Sequence, residues 1–137
     1  MVRLQESQSN HDSEVCRLAR KYANYPIWTS CLTVRSTVTL PKFPYEGINY
    51  EPDVFLNQVK PEGENTPVDW IFEVETKDSI NDEHTEKQLR AFAAYAQKVP
   101  TKIFVLVPKE AIEQMKANLK KWGLSGVIAV VEWGWPP

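Results

Sequence analysis

Residues 103–107 read Ile-Phe-Val-Leu-Val, five apolar side chains in a row, the pattern of a short strand buried on both faces. A different pattern fills Val68 to Thr76. There Trp70, Phe72 and Val74 fall on one side of a strand and read as core. Asp69, Glu73, Glu75 and Lys77 fall on the other side, the last three spaced about 7 Å apart. Tyr50 to Asn57 predicts a further strand, separated from the last by a loop from Pro61 to Pro67. Trp28 to Leu40 is rich in β-branched residues and predicts another strand, with Leu32, Val34, Ser36, Val38 and Leu40 on one face. Pro41 to Gly47 reads as a turn region. Val127 to Trp133 predicts the last strand.

Three stretches carry the helical period instead. Val15, Leu18, Ala19 and Tyr22 predict a helix over Asp12–Asn24, with Asp12 or Ser13 as its cap and Pro26 just beyond its end. Leu89, Phe92, Ala93, Ala96 and Val99 predict a second over Asp82–Lys98, stopped by Pro100. Ile112, Met115, Leu119 and Trp122 mark a third after Pro108, and Gly123 stands where a helix C-terminus favours glycine. The order is α-β-β-β-α-β-α-β, which predicts an α/β fold with a central mixed sheet flanked by helices. Its back half should run parallel through right-handed crossovers.

Composition narrows the class. The chain has 137 residues, 42% of them hydrophobic and 11% aromatic, enough for one packed domain, expected over 12–137 behind a flexible tail at 1–11. No apolar run reaches membrane-span length, and the first residues lack the apolar core of a secretory signal, so an intracellular, cytoplasmic protein is expected. The net charge of −2 means that nucleic-acid binding would need a local basic face. Cys16 and Cys31 lack metal-ligand spacing and are expected as reduced thiols. His11 and His84 sit among polar residues and read as solvated. No Gly-rich phosphate loop and no Gly-x-Ser-x-Gly is present. The tail Trp133-Gly134-Trp135-Pro136-Pro137 is expected to pack over the core.

The chemistry-bearing residues are Pro52-Asp53 on one predicted strand and Glu73-Val74-Glu75 at the end of the next. Three carboxylates from neighbouring strands are what a hard divalent cation needs. With the following helix, which carries Gln88-Leu89-Arg90-Ala91-Phe92, these residues resemble the PD-(D/E)XK nuclease superfamily. The resemblance spans about residues 12–107 and implies a restriction endonuclease-like fold. It implies Asp53 and Glu73 as ligands of Mg²⁺, for which Mn²⁺ can substitute, and Glu75 in the place usually taken by lysine. A register shifted by two, Asp53 with Glu75-Thr76-Lys77, restores the lysine as Lys77. Gln88 matches the Gln of a motif in RecB-type relatives, with Phe92 in place of that motif's tyrosine. Glu14 falls where many members carry an extra acidic ligand, although as an isolated helix-start Glu it equally suits the helix dipole.

The activity so implied is Mg²⁺-dependent hydrolysis of phosphodiester bonds in DNA, with structure-specific cutting and a homodimer as further expectations. The alternative is the same fold without catalysis, serving as a nucleic-acid-binding or assembly subunit. A third reading is a small interaction protein whose acidic strand is only surface. The first two share two geometric expectations: Asp53 and Glu73 within bridging reach, and Gln88 pointing toward them. In the Glu73 register, Glu75 should join them as a third carboxylate.

Overall fold

The computed structural model describes residues 4–34, 39–60, 63 and 65–137, and the statements below concern those residues. In chain order the elements are α1 (Gln5–Lys21), β1 (Ile27–Thr29), β2 (Phe43–Tyr45), β3 (Ile48–Tyr50), β4 (Val54–Val59), β5 (Val68–Val74), α2 (Glu83–Ala96), β6 (Thr101–Val107), a 3₁₀ turn (Lys109–Ala111), α3 (Ile112–Lys121) and β7 (Ile128–Glu132). Five strands form one sheet in the order β1-β4-β5-β6-β7, and β2 and β3 form a separate hairpin. The β1–β4 and β4–β5 pairs are antiparallel, and β5–β6 and β6–β7 are parallel. The predicted α/β order and mixed sheet are therefore present, with the small hairpin inserted between the first two strands of the sheet.

The central strand β5 is buried on both faces because helices cover both. On one side Phe55, Ile71, Ile103 and Val105 pack with Leu89 and Phe92 of α2 and Met115 and Leu119 of α3. On the other, Val54, Leu56, Phe72 and Leu106 pack with Val15 and Leu18 of α1. Phe72 is fully buried, stacked between Tyr22 and Phe104 with ring centres 5.2 and 5.3 Å away. Removing such a ring from water contributes about 2–3 kcal/mol. The C-terminal tail does pack on this layer: Trp135 stacks on Phe104 at 5.0 Å.

Helix ends follow the local chemistry. Asp82 caps α2 by accepting a hydrogen bond from the His84 N–H at 2.8 Å. Gly123 follows α3 with φ +74°, and the Leu124 N–H returns to the Leu119 carbonyl at 2.8 Å, a closing turn that needs a left-handed residue.

Four expectations are corrected. The first helix begins at Gln5, so residues 5–11 are helical rather than a flexible tail; the Leu4 N–H is anchored on Asp78 Oδ2 at 3.2 Å. The predicted strand over Trp28–Leu40 ends at Thr29, and residues 32–34 form a turn with Leu32 79% exposed. The Thr29 hydroxyl explains the stop, since it donates to the Asp53 carbonyl at 2.9 Å and accepts the Cys31 N–H at 3.1 Å. Residues 35–38 of that prediction lie outside the described ones. The turn region before Gly47 holds half of the β2–β3 hairpin, closed by Glu46 and Gly47, both with positive φ. Finally, Cys16 and Cys31 are joined in a disulfide across 15 positions of sequence, not held as reduced thiols. Packing of α1 against β1 brings them together, and no local pattern announces it.

Candidate functional site

β4 and β5 pair with Val54 opposite Phe72. Continuing that antiparallel register by one residue sets Asp53 opposite Glu73. Asp53 lies just before the strand, so its side chain takes over where the backbone ladder stops. Its Oδ2 accepts the Val74 N–H at 2.8 Å and lies 3.2 Å from His11 Nε2. Glu73, its cross-strand neighbour, also helps to hold this carboxyl's pKa down. The Asp53 backbone is held as well, its carbonyl taking the Thr29 hydroxyl and the Ser30 N–H. The side chain of Asp53 keeps 14% exposure, while Glu73 is buried. The expected juxtaposition of Asp53 and Glu73 is thus observed.

Burial pushes the Asp53 carboxyl up, but the His11 hydrogen bond and charge, with smaller help from Glu73 and the Val74 N–H, hold it below the ordinary aspartate value. A carboxyl lowered on folding stabilises the protein above its unfolded value, near pH 3.9, and that contribution is lost as pH falls through the folded value. His11→Ala should therefore raise the Asp53 pKa and move the onset of acid unfolding to higher pH. A carboxyl-carbon NMR titration reads this directly, and an unmoved Asp53 would mean that His11 exerts no hold on it.

His11 is the residue that the sequence reading missed. It is buried, not solvated, with Nδ1 2.9 Å from Asp12 Oδ1. The signal was there: positions 11, 15, 18 and 22 form one helical stripe, so the apolar face of α1 extends back one turn to His11. Glu14, expected as an extra metal ligand, is committed elsewhere. Both its oxygens take the Arg17 guanidinium at 2.8 Å, and Oε2 also accepts the Gly134 N–H at 3.0 Å. From α1 it is His11, one turn earlier, that reaches Asp53.

Glu75 continues the β5 backbone beyond its last paired residue, its N–H donating to the Leu106 carbonyl at 2.9 Å. Its fully buried carboxylate accepts hydrogen bonds from the Ser79 and Thr85 hydroxyls. Trp133 closes this strand end from outside, its indole N–H shared between the Glu75 and Leu106 carbonyls. Among the described residues no group of three or more His, Cys, Asp or Glu gathers closely enough to hold a metal ion. The third carboxylate does not converge on the other two, because the hydroxyls of Ser79 and Thr85 hold it. Lys77 departs further from expectation. β5 ends at Val74, and a turn tied by the Ser79 hydroxyl to the Thr76 N–H (3.0 Å) carries the chain away. Lys77 is exposed on the rim of an open hollow of about 360 Å³ shared with Ser7, Asn10, Pro108 and Trp133.

Gln88 reaches the segment that precedes Asp53. It is buried on α2, one turn beyond Thr85, and its amide N–H donates to the Glu51 carbonyl at 3.0 Å, two residues before Asp53. Its buried amide oxygen Oε1 has no hydrogen-bond partner. A buried orphan acceptor costs about 1–3 kcal/mol, so it marks a place where a donor or cation is favoured. Asp69, on the same strand face as Glu73, belongs to a different cluster, accepting from Asn57, Gln58 and Tyr95. Asp53 and Glu73, with Gln88 on the segment just before Asp53, offer oxygen donors to a hard cation, while Glu75 and Lys77 stand apart from them. No helix among the described residues is long and apolar enough to cross a membrane. Comparison of the chain with protein-family models, with curated proteins and with solved structures gives no match.

Proposed function

We propose that the protein is a Mg²⁺-dependent nuclease of restriction endonuclease-like fold that hydrolyses phosphodiester bonds in DNA. The observation that carries this reading is the Asp53–Glu73 carboxyl pair, set opposite each other by the antiparallel register of β4 and β5 at the end of a buried strand. Two carboxyls in contact share a proton or a cation, since both cannot carry charge unaided. Mg²⁺ is commonly held by one or two carboxylates together with waters and phosphate oxygens. Asp53 and Glu73, with the orphaned Gln88 Oε1 beside the Glu51–Asp53 segment, are an all-oxygen donor set of that kind. When bound, such a cation neutralises the scissile phosphate and lowers the pKa of a bound water.

The chain's own residues supply the rest. Asp53 and Glu73 would hold the cation through their carboxylate oxygens. Gln88 fixes the Glu51–Asp53 segment through its amide. Glu75, buried and set by Ser79 and Thr85, fixes the strand end behind the pair, and Lys77 offers positive charge to the anionic backbone from the turn beyond it. Cleavage of supercoiled, linear and branched DNA with Mg²⁺ or Mn²⁺ tests the reading. Activity should require the cation, fall to background in Glu75→Ala and persist in Lys77→Ala. The reverse order of those two variants would favour the shifted register, and no cleavage of any DNA with no cation binding by calorimetry would sink the nuclease reading.

A second reading, the fold without catalysis in a nucleic-acid-binding or assembly subunit, is favoured by one observation. The His11 ring nitrogen already sits 3.2 Å from Asp53 Oδ2, a polar partner in place of a cation.

A further inference from the structure

β7 lies at the end of the sheet, and among the described residues no strand pairs with its outer side. The backbone there is half used. The Trp133 N–H donates to the Val107 carbonyl at 3.0 Å. Strand alternation then turns the odd-numbered residues Ala129 and Val131 toward β6 and the even-numbered Ile128, Val130 and Glu132 outward. Two of the outward groups are satisfied within the chain. The Ile128 N–H donates to the Leu124 carbonyl at 3.1 Å, and the Glu132 carbonyl accepts the Trp135 N–H at 3.1 Å. The Ile128 carbonyl, both groups of Val130 and the Glu132 N–H are left facing out. An open edge of this kind, with Ile-Ala-Val-Val uncharged along it, is a template for another strand.

We infer that this edge pairs with β7 of a second copy of the chain, antiparallel and centred on Val130. The pattern of free groups selects that arrangement. About a two-fold axis at Val130, the two Val130 residues exchange both hydrogen bonds, and each Glu132 N–H meets the other copy's Ile128 carbonyl. The two groups that such a pair would leave over are the two already satisfied internally. A strand from an unrelated partner gains nothing from this self-complementarity.

The side chains agree. Ile128 and Val130 face the α3 side of the sheet, and Glu132 shares their parity. On that side Lys116 and Lys120, both exposed, rim a hollow of about 380 Å³ floored by Leu119, Ile128 and Val130. In the antiparallel pair the exposed Glu132 of one copy stands opposite Ile128 of the other, beside that copy's Lys116 and Lys120. The axis repeats the contact, so opposite charges meet twice. One sheet then runs through both copies. This assembly stands whether or not the acid pair catalyses.

Sedimentation equilibrium of the full chain from micromolar to millimolar concentration tests it. The wild type should sediment with the mass of two chains. Glu132→Lys sets like charges together and should raise the dimer dissociation constant about a hundredfold or more. Combining it with Lys116→Glu and Lys120→Glu should restore the dimer. Val130→Pro removes the central outward N–H and should give monomers, with circular dichroism reporting whether it folds; the exposed Glu132 variant carries the test if it does not. A wild type that stays one chain at all concentrations, or a dimer unmoved by Glu132→Lys, overturns the proposal. Failure of the triple variant to recover the dimer overturns the antiparallel register.

Discussion

With the acid pair as the centre of the nuclease proposed above, Asp53→Asn should reduce DNA cleavage by at least about a thousandfold while leaving the fold in place. Asparagine is isosteric, and its amide oxygen can still accept the Val74 N–H, so the junction of β4 and β5 keeps its hydrogen bond. The negative charge is what disappears, and with it the means to hold a divalent cation beside Glu73. Glu73→Gln should cost a similar factor. The two together should cost little more than either alone, because residues that act as one unit lose their function at the first removal. Steady-state cleavage rates, with Mn²⁺ titration calorimetry on the same variants, measure both effects. Full activity in Asp53→Asn would detach the acid pair from catalysis.

Asp69→Ala should destabilise the protein by roughly 3 kcal/mol without touching the acid pair. Asp69 is 1% exposed. Its Oδ1 collects the Gln58 N–H at 2.9 Å, the Asn57 amide at 3.1 Å and the Gln58 amide at 3.2 Å, and its Oδ2 takes the Tyr95 hydroxyl at 2.5 Å. Gln58 has φ +54° within an irregularity of the β4–β5 pairing, a conformation that a non-glycine residue adopts at a cost. Burial first, and the Asp69 bond second, push the Tyr95 phenol well above its ordinary value, so this hydroxyl stays a donor throughout the accessible pH range. Alanine would strand the Gln58 N–H and the Tyr95 hydroxyl together. Urea unfolding reads the loss as a lower midpoint at unchanged slope. A change under about 0.5 kcal/mol, the size of an ordinary surface substitution, would show that this network carries no weight.

Asp69, Glu73 and Glu75 looked alike in the sequence, and the structure gives each a separate role. Their shared side of the strand was legible from alternation alone. The positive-φ residue that Asp69 supports lies 11 residues away and the hydroxyls that hold Glu75 lie 4 and 10 residues away, beyond the strand, where alternation cannot see them. Lys77 was misplaced for a related reason. Alternation was carried past Val74, whereas hydrogen bonds among Thr76, Asp78 and Ser79 bend the chain there, and no apolar pattern marks that bend. The adjacency of Asp53 and Glu73 and the burial of Gln88 are legible because strand alternation and a helical stripe both survive in one dimension. Glu14 could have been set aside on sequence alone, since Arg17 stands three residues on along the same helix. The hairpin was hidden by its brevity and by Pro44 at its centre.

The grip of Arg17 on the Trp135 and Pro136 carbonyls, and of Glu14 on the Gly134 N–H, joins residues 118 to 120 positions apart. During synthesis α1 emerges first, yet these contacts wait until residues 134–136 have left the ribosome. Closing so long a loop is entropically slow, and contacts at such separation come late in folding. The helix that brings His11 to Asp53 is thus among the first segments made and among the last fastened. Pairing of β4 with β5 sets Asp53 beside Glu73, and His11 joins them only at that final closure.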